Sequence, residues 1–464
     1  MQYKINYCKW SVLLLCLLLA SCNKYLDVVP KGKTLLSTFN DFEMWMNSRS
    51  TYEISGIPQI CWMTDHAQKI PWNENVIGEN ERAYTWSEQL TESSYSPGML
   101  SGAYAHIYLY NTVLNNVDAV PGGTTRQKTV LKAEAMLGRA NEYFYLINLY
   151  GKLYDETTAG TDLAVPYVTA SDIHAATPPR MTVQQLYDQI FADIEEAMPN
   201  LPADNSANRF RGSVHAAYSL LARIYLYMRN YSEAAKYAAK ALERPGGAAV
   251  TDYNGLAKNV WPRNARMNEM IYARGSDPNS GSSVAIADST FLKSYSSTDL
   301  RPALYFNDGL YYPFNYNTIK PMSGFRFSSL GNGFYDAQVG TTVAEMKLII
   351  AEFAARNEEV ATALQQLNEI RINRFAPANY VPLSSTDPEE VLNWVIRERR
   401  HEMPFNGLRW FDMRRLDAEN RMPAVNRYDG AGNIIATLPP HSPRYTLQIP
   451  LNAIKFNPDM IQNP

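Results

Sequence analysis

"SVHAAYSLLARIYLYMRNYSEAAKYAAKALERPGG", residues 213–247, decides how the chain is read. Val214, Ala217, Tyr218, Leu221, Ala222 and Tyr225 recur at the three- and four-residue spacing of one helix face. After a short turn a second helix opens at Tyr231 and runs to Pro245-Gly246-Gly247, a strong stop. Counted from Ala222, small residues return 12, 16 and 19 positions on, at Ala234, Ala238 and Ala241. The same offsets from Ala351 fall on Ala363, Leu367 and Ile370, within "TTVAEMKLIIAEFAARNEEVATALQQLNEIRINRF" at 341–375. Two helices can approach closely only where one side presents small side chains, so the pattern predicts repeated antiparallel helix pairs.

These offsets are those of a tetratricopeptide unit. Further helices surround the two pairs. In "TVQQLYDQIFADIEEAMPNLP" Val183, Leu186, Tyr187, Ile190, Ile194, Ala197 and Met198 share a face. Thr182 and Gln185 make a capping box, and Pro199 and Pro202 stop the helix. Thr342 and Glu345 predict a second capping box. "LKAEAMLGRANEYFYLINLYG", 131–151, reads as part of another pair. A last helix opens at Asp387-Pro388 and turns Val391, Leu392, Val395 and Ile396 inward. Between the helices, 52–100 and 246–340 are rich in Gly, Ser, Asn, Pro and aromatics and show little periodicity. Loops of that length are commonly functional or disordered, and their aromatic content argues against disorder. The helices read as scaffold and the loops as the working surface.

The N-terminal segment has the parts of an export signal: Lys4 and Lys9, an apolar run from Val12 to Leu19, then small residues. Leu19-Ala20-Ser21-Cys22 has the form of a lipobox, so 1–21 is expected to be removed and Cys22 to carry acyl chains. The apolar run falls short of the roughly 18–20 residues that span a bilayer. Two or more acyl chains, at about 0.8 kcal/mol per buried methylene, would moor the remainder to a membrane surface. Beyond the signal and Cys22 only Cys61 remains, so no intramolecular disulfide is expected to brace the fold. A formal charge of −3 gives no reason to expect nucleic acid. Tyrosine is abundant, 31 residues beside 8 Trp, and both pair a flat apolar ring with a hydrogen-bonding tip.

No catalytic pattern is nominated, and the plentiful acids leave a glycosidase-type carboxylate pair open without pointing to one. "HEMPF", 401–405, begins like a zinc-protease helix, but Phe405 stands where the second histidine belongs. The six histidines are scattered, "GNGF" at 331 lacks a strand–loop–helix setting, and there is no G-x-S-x-G elbow. No pattern nominates a cofactor or metal, a structural calcium included. One motif is dense: "VIRERRHEMPFNGLRWFDMRRLD", 395–417, sets Arg397, Arg399, Arg400, Arg409, Arg414 and Arg415 against Glu398, Glu402, Asp412 and Asp417. The interleaved acids argue against a nucleic-acid surface and for an internal network of bidentate ion pairs around Trp410 and Phe411.

At these residues the chain resembles the SusD/RagB family of nutrient-binding surface lipoproteins of Bacteroidota. "SCNKYLDVVPKG" is similar to the family's mature N-terminus, and "LKAEAMLGRANEYFYLINLYG" to its R-x-E-A-x-x-x-R-A segment. "STDLRPALYF", 297–306, resembles its D-x-R segment. "IRERRHEMPFNGLRWFDMRRLD" resembles its E-R-R…R-W-F-D-x-R-R motif, and "YTLQIPLNAIKFNPDMIQNP" its C-terminus. Lys132, Pro404, Asn406 and Ala453 depart from those patterns at packing positions. The resemblance implies a mostly α fold with tetratricopeptide-like pairs forming a right-handed superhelical scaffold with long irregular loops. The expected single domain is 22–464, its helices at about 101–245 and 341–403. It also implies a non-enzymatic lid on a SusC-like TonB-dependent outer-membrane transporter, taking an oligosaccharide, a polysaccharide or a peptide. A helical-repeat envelope scaffold without a ligand is the alternative reading.

No ligand residue transfers by motif, so the candidates rest on physics. Sugars stack apolar C–H faces on exposed Trp and Tyr and offer hydroxyls to nearby polar groups. The first loop tract supplies Trp62, Asp65, His66, Trp72, Asn73, Tyr84 and Trp86, the last of which runs toward a helix and a core setting. The second supplies Trp261, Tyr295, Tyr311, Tyr312 and Tyr316. Trp62, Asp65, Trp72, Asn73, Tyr84, Trp261 and Tyr311 are the leading set, with Cys22 as the lipid site.

Overall fold

The computed structural model describes residues 36–68, 78–92, 94, 98–256, 268–276, 286–308, 325–327, 339–429 and 431–463. The signal segment 1–21 and Cys22 lie outside them. The fold is mostly α. Helices α1 (Phe39–Met46), α2 (Ile57–Met63) and α3 (Glu79–Tyr84) are short, whereas α4 (Gly98–Asn116) and α5 (Thr125–Tyr150) are long. There follow α6 (Val183–Ala197), α7 (Val214–Tyr227), α8 (Tyr231–Leu242), and the single turns α9 (Ser289–Lys293) and α10 (Arg301–Tyr305). The last are α11 (Val343–Arg356), α12 (Val360–Arg371), α13 (Pro388–Glu402), α14 (Leu408–Asp417) and α15 (Leu451–Phe456). Among the described residues the strands β1 (Ala67–Gln68), β2 (Leu163–Pro166), β3 (Arg180–Thr182), β4 (Met270–Tyr272), β5 (Ile286–Ala287), β6 (Phe306–Asp308), β7 (Phe325–Phe327), β8 (Thr341–Thr342), β9 (Val425–Tyr428) and β10 (Ile434–Leu438) pair as two-stranded antiparallel ribbons.

The two repeat pairs form as their offsets predict. Helices α7 and α8 pack together, as do α11 and α12, and α8 lies against α11, so the pairs are consecutive in the stack. Ala222, Ala234, Ala238 and Ala241 in the first pair are completely buried, as are Ala351, Ala363, Leu367 and Ile370 in the second. The turns match in a way the sequence hides. Arg229 and Glu358 both adopt left-handed φ, at 62° and 63°, and each stands seven residues after its pair's reference alanine. A left-handed residue at the end of the first helix reverses the chain within two residues. Helix α5 is buried on every side along its C-terminal half, from Ala140 to Tyr150, as a central helix must be.

The capping box at Thr182–Gln185 is complete. The one predicted at Thr342–Glu345 is half formed. The Thr342 hydroxyl accepts from the Glu345 amide at 3.0 Å, but the Glu345 carboxylate turns inward to two arginines instead of back to the cap.

That inward turn belongs to the 395–417 motif, which is an internal lattice. Arg399 donates Nε to both Asp412 oxygens at 3.0 and 3.1 Å, and Nη2 to the Tyr227 hydroxyl at 3.0 Å. Arg223 on α7 grips Glu345 with Nε and Nη2 at 3.0 and 2.6 Å. Arg415 reaches Asp412 at 2.9 Å and holds Glu352 bidentately at 2.6 and 2.9 Å. Both repeat pairs and the α13–α14 corner are therefore fastened by charge. Burial alone would raise the Glu352 carboxyl, but Arg415 and Arg356 outweigh it and hold it down at about 2. Arg414 instead donates to the Asn148 and Gly151 carbonyls, and only Arg397 of the six arginines is exposed. Between the two helices Gly407 has φ 85°, and a Cβ there would lie 2.7 Å from Ile57 Cδ1, so the corner requires glycine.

Replacing Arg415 by Met should lower urea-measured stability by about 3–5 kcal/mol, because Glu352 and Asp412 stay buried and lose a partner. Adding Glu352→Met should recover part of that loss. Equal stability of the single variant and the parent would show that the lattice carries no such constraint.

Candidate functional site

The two loop tracts meet at their bases. Glu53 bridges to Gly275, with Ile54 N donating to Gly275 O at 2.8 Å and Gly275 N to Tyr52 O at 2.9 Å. Strand β1 (Ala67–Gln68) pairs with β5 (Ile286–Ala287), and Asp288 N donates to His66 O at 2.7 Å. Strand β5 lies against β7 (Phe325–Phe327), which pairs with β6 (Phe306–Asp308). Beneath them sits a satellite core of Tyr253, Ala287, Phe291, Tyr295, Leu304, Tyr305 and Phe306, with Leu256 at its margin. Hence 69–77 leaves from β1, 257–267 from just past Leu256, and 309–324 from β6, all within one neighbourhood. Trp72, Asn73, Trp261, Tyr311, Tyr312 and Tyr316 fall in those stretches and lie outside the described residues. What the structure supplies is the common footing from which they depart.

The described candidates occupy other roles. Trp62 is 2% exposed and meets the Tyr84 ring edge-on at 5.8 Å, and Tyr84 is buried as well. Neither ring has a face free for a sugar, so both are corrected from ligand platforms to core. The reason is area: each sits on a one- or two-turn helix that can bury its largest apolar surface only by turning inward. Trp86 is core too, its indole N–H donating to Met63 O at 2.8 Å. Tyr295 is buried and stacks on His401 at 4.2 Å.

Asp65 is likewise engaged internally. Arg409 holds it bidentately at 2.8 and 2.7 Å, and Arg400 approaches to 3.1 Å. Burial alone would push the Asp65 carboxyl up, yet Arg409 and Arg400 outweigh it and keep it far below the usual carboxylate range. Two arginines thus engage the carboxylate from within the protein, so its part in the fold is structural. The same contacts tie the first tract to α13 and α14, which gives the footing its rigidity. Arg427 reaches from the C-terminal hairpin to the faces of both Tyr84 and Trp86. A single arginine in an otherwise ordinary strand offers no signal in sequence.

Two grooves lie elsewhere among the described residues. One of about 690 Å³ runs between 175–180 and 456–461, and one of about 850 Å³ lies among the turns at 154–157, 228–232 and 356–357. Neither borders the footing. Among the described residues no group of His, Cys, Asp and Glu could hold a metal ion, and no helix is long and apolar enough to cross a membrane.

The footing is acid-sensitive. His66 is 1% exposed, stacks on Phe291 at 3.9 Å and accepts from Arg400 Nε at 3.0 Å, so it is neutral. Burial drives its pKa well below the ordinary value, with Asp65 opposing. Burial and then Arg301 bring His401 down to about 2. Below an unfolded value of about 6.5 each protonates only when the chain unfolds, so their burial stabilises fully above that pH and less as pH falls. Urea stability should therefore fall from pH 6.5 toward 5, by up to about 1.4 kcal/mol per pH unit for each of these two protons. The His66→Gln/His401→Gln pair should flatten that slope; an unchanged slope would refute the assignment. His106, raised by Glu142 against the effect of burial, acts with opposite sign and is untouched in that variant.

Residues 24–226 match a family model described as "Starch-binding associating with outer membrane", and 338–464 match one described as "SusD family". The chain is 23% identical over 425 residues to SusD-like protein P2 of Formosa agariphila, covering 79% of this chain and 80% of that protein. A SusD superfamily protein of Bacteroides thetaiotaomicron superposes with TM-score 0.70 at 20% identity, covering 92% of this chain and 100% of that one. A SusD-like carbohydrate binding protein of Bacteroides vulgatus gives 0.67 at 19%, covering 91% and 97%. Surface glycan-binding protein A of Bacteroides uniformis gives 0.69 at 16%, covering 92% and 99%. These structures share the fold, and the two family models between them take in most of the sequence. The chain belongs to the SusD/RagB family, whose members bind without catalysing a reaction.

Proposed function

We propose that this protein captures a glycan at the cell surface and delivers it to a SusC-like TonB-dependent transporter, moored to the outer membrane by acyl chains on Cys22. The observation that carries the reading is the shared footing. Stretches holding Trp72, Asn73, Trp261 and Tyr311 all depart from one satellite core, itself pinned to the helical scaffold through Asp65, Arg400 and Arg409. Aromatic residues carried on stretches whose ends are fixed suit a sugar site, because those ends need no ordering when a ligand binds. Structural neighbours named for carbohydrate or glycan binding support the glycan over the peptide reading. An outer-membrane association in the family description supports the location.

The full chain, purified in detergent, should retain one class of polysaccharide on a glycan array and release no product from it. Trp72→Ala and Trp261→Ala should each weaken retention about tenfold, the loss of roughly 1.4 kcal/mol of stacking, with the melting midpoint unchanged. Trp62→Ala should lower that midpoint instead. Retention of a peptide pool with no glycan bound would replace sugar by peptide as the cargo. Cys22→Ser should move the protein from the membrane fraction to the soluble one.

A further inference from the structure

The C-terminal hairpin of β9 (Val425–Tyr428) and β10 (Ile434–Leu438) sends one side chain deep into the first loop tract. Arg427 is 4% exposed. Its Nε donates to Tyr84 O at 2.9 Å and Nη1 to Ala67 O at 2.9 Å, while Nη2 donates to Trp62 O at 3.0 Å and Thr64 O at 2.9 Å. The guanidinium lies 4.2 Å from the Tyr84 ring centroid and 4.4 Å from that of Trp86. These hydrogen-bond acceptors are backbone carbonyls, without a carboxylate among them, unlike those of the neighbouring Arg399, Arg409 and Arg415. Burying a cation is costly unless its N–H groups are met, and here carbonyl oxygens and ring faces meet them.

The four carbonyls are not a random set. Trp62 and Thr64 close α2, Ala67 begins β1, and Tyr84 ends α3. Ala67 and Tyr84 thus flank the stretch 68–83, and one guanidinium holds both flanks within its own width. We infer that Arg427 is a positioning residue for the ligand-facing tract, clipping the two ends of 68–83 together from the opposite end of the chain. In an exported chain whose only unmodified cysteine outside the signal, Cys61, is buried and free, it does work that a disulfide does elsewhere. Tyr428, the next residue, points outward and is 53% exposed, so alternation along β9 separates the clip from the solvent face.

The inference rests on the proposed glycan reading for its purpose, but its first test needs no ligand. Hydrogen–deuterium exchange on the full chain should show amides of 62–67 and 82–90 exchanging at least tenfold faster in Arg427→Met, with α7 and α11 unchanged. Arg427→Lys, which keeps the charge but has too few donors for four carbonyls, should fall between. Tyr428→Ser should match the parent. Parental exchange in Arg427→Met would overturn the clip, as would equal loosening in Tyr428→Ser. Should Arg427→Met fail to fold, Arg427→Lys decides, and parental exchange there overturns the clip. On the glycan array, retention should fall in the order parent, Lys, Met. If the parent retains no glycan, the ligand reading fails while exchange still judges the clip.

Discussion

Buried arginine is the constraint on which this molecule turns. A guanidinium removed from water must find acceptors in fixed directions, and so fixes the positions of whatever supplies them. Arg223, Arg399 and Arg415 take carboxylates from α11 and α14, which leaves the two repeat pairs and the α13–α14 corner one permitted arrangement. Arg301 and Arg374 extend the same logic to Asp299, Glu398 and Glu402, reaching the base of the second loop tract. Hydrophobic burial supplies most of the favourable free energy here as elsewhere, but it is non-directional. Direction comes from these side chains.

The division of labour follows. Paired helices give a frame with small residues at its close approaches. The charged corner then holds the loop bases. A binding protein gains from such an order, because affinity is lost to whatever must be immobilised when the ligand arrives. A family with one frame and many cargoes would keep the bases and vary what rises from them.

The helical part was legible because its cause is local and periodic. Ala222, Ala234, Ala238 and Ala241 advertise a close approach in one dimension, and Asp387-Pro388 advertises a helix start. The ion-pair reading of 395–417 succeeded because acids and arginines alternate too densely for a surface. The half-formed box at Glu345 was not legible: two arginines distant in sequence compete for its carboxylate and win over the cap. The ligand candidates failed where they could be checked for the same reason. Exposure of Trp62 or Tyr84 depends on what folds over them, and that includes a strand more than 340 residues away. Arg229 and Glu358 show a third kind of silence, since left-handed geometry is carried by ordinary residues set in place by their repeats.

The lattice beneath the loops is almost wholly shut off from solvent, with Arg223, Glu345, Glu352 and Arg415 each at most 1% exposed. Mobile ions screen charges they can approach, over a Debye length of about 8 Å in physiological saline, and they cannot approach these. A frame cross-braced in this way keeps its shape in brackish and in dilute surroundings alike. At the surface location proposed above, where osmolarity is not regulated, that indifference to salt is a useful property of the fold.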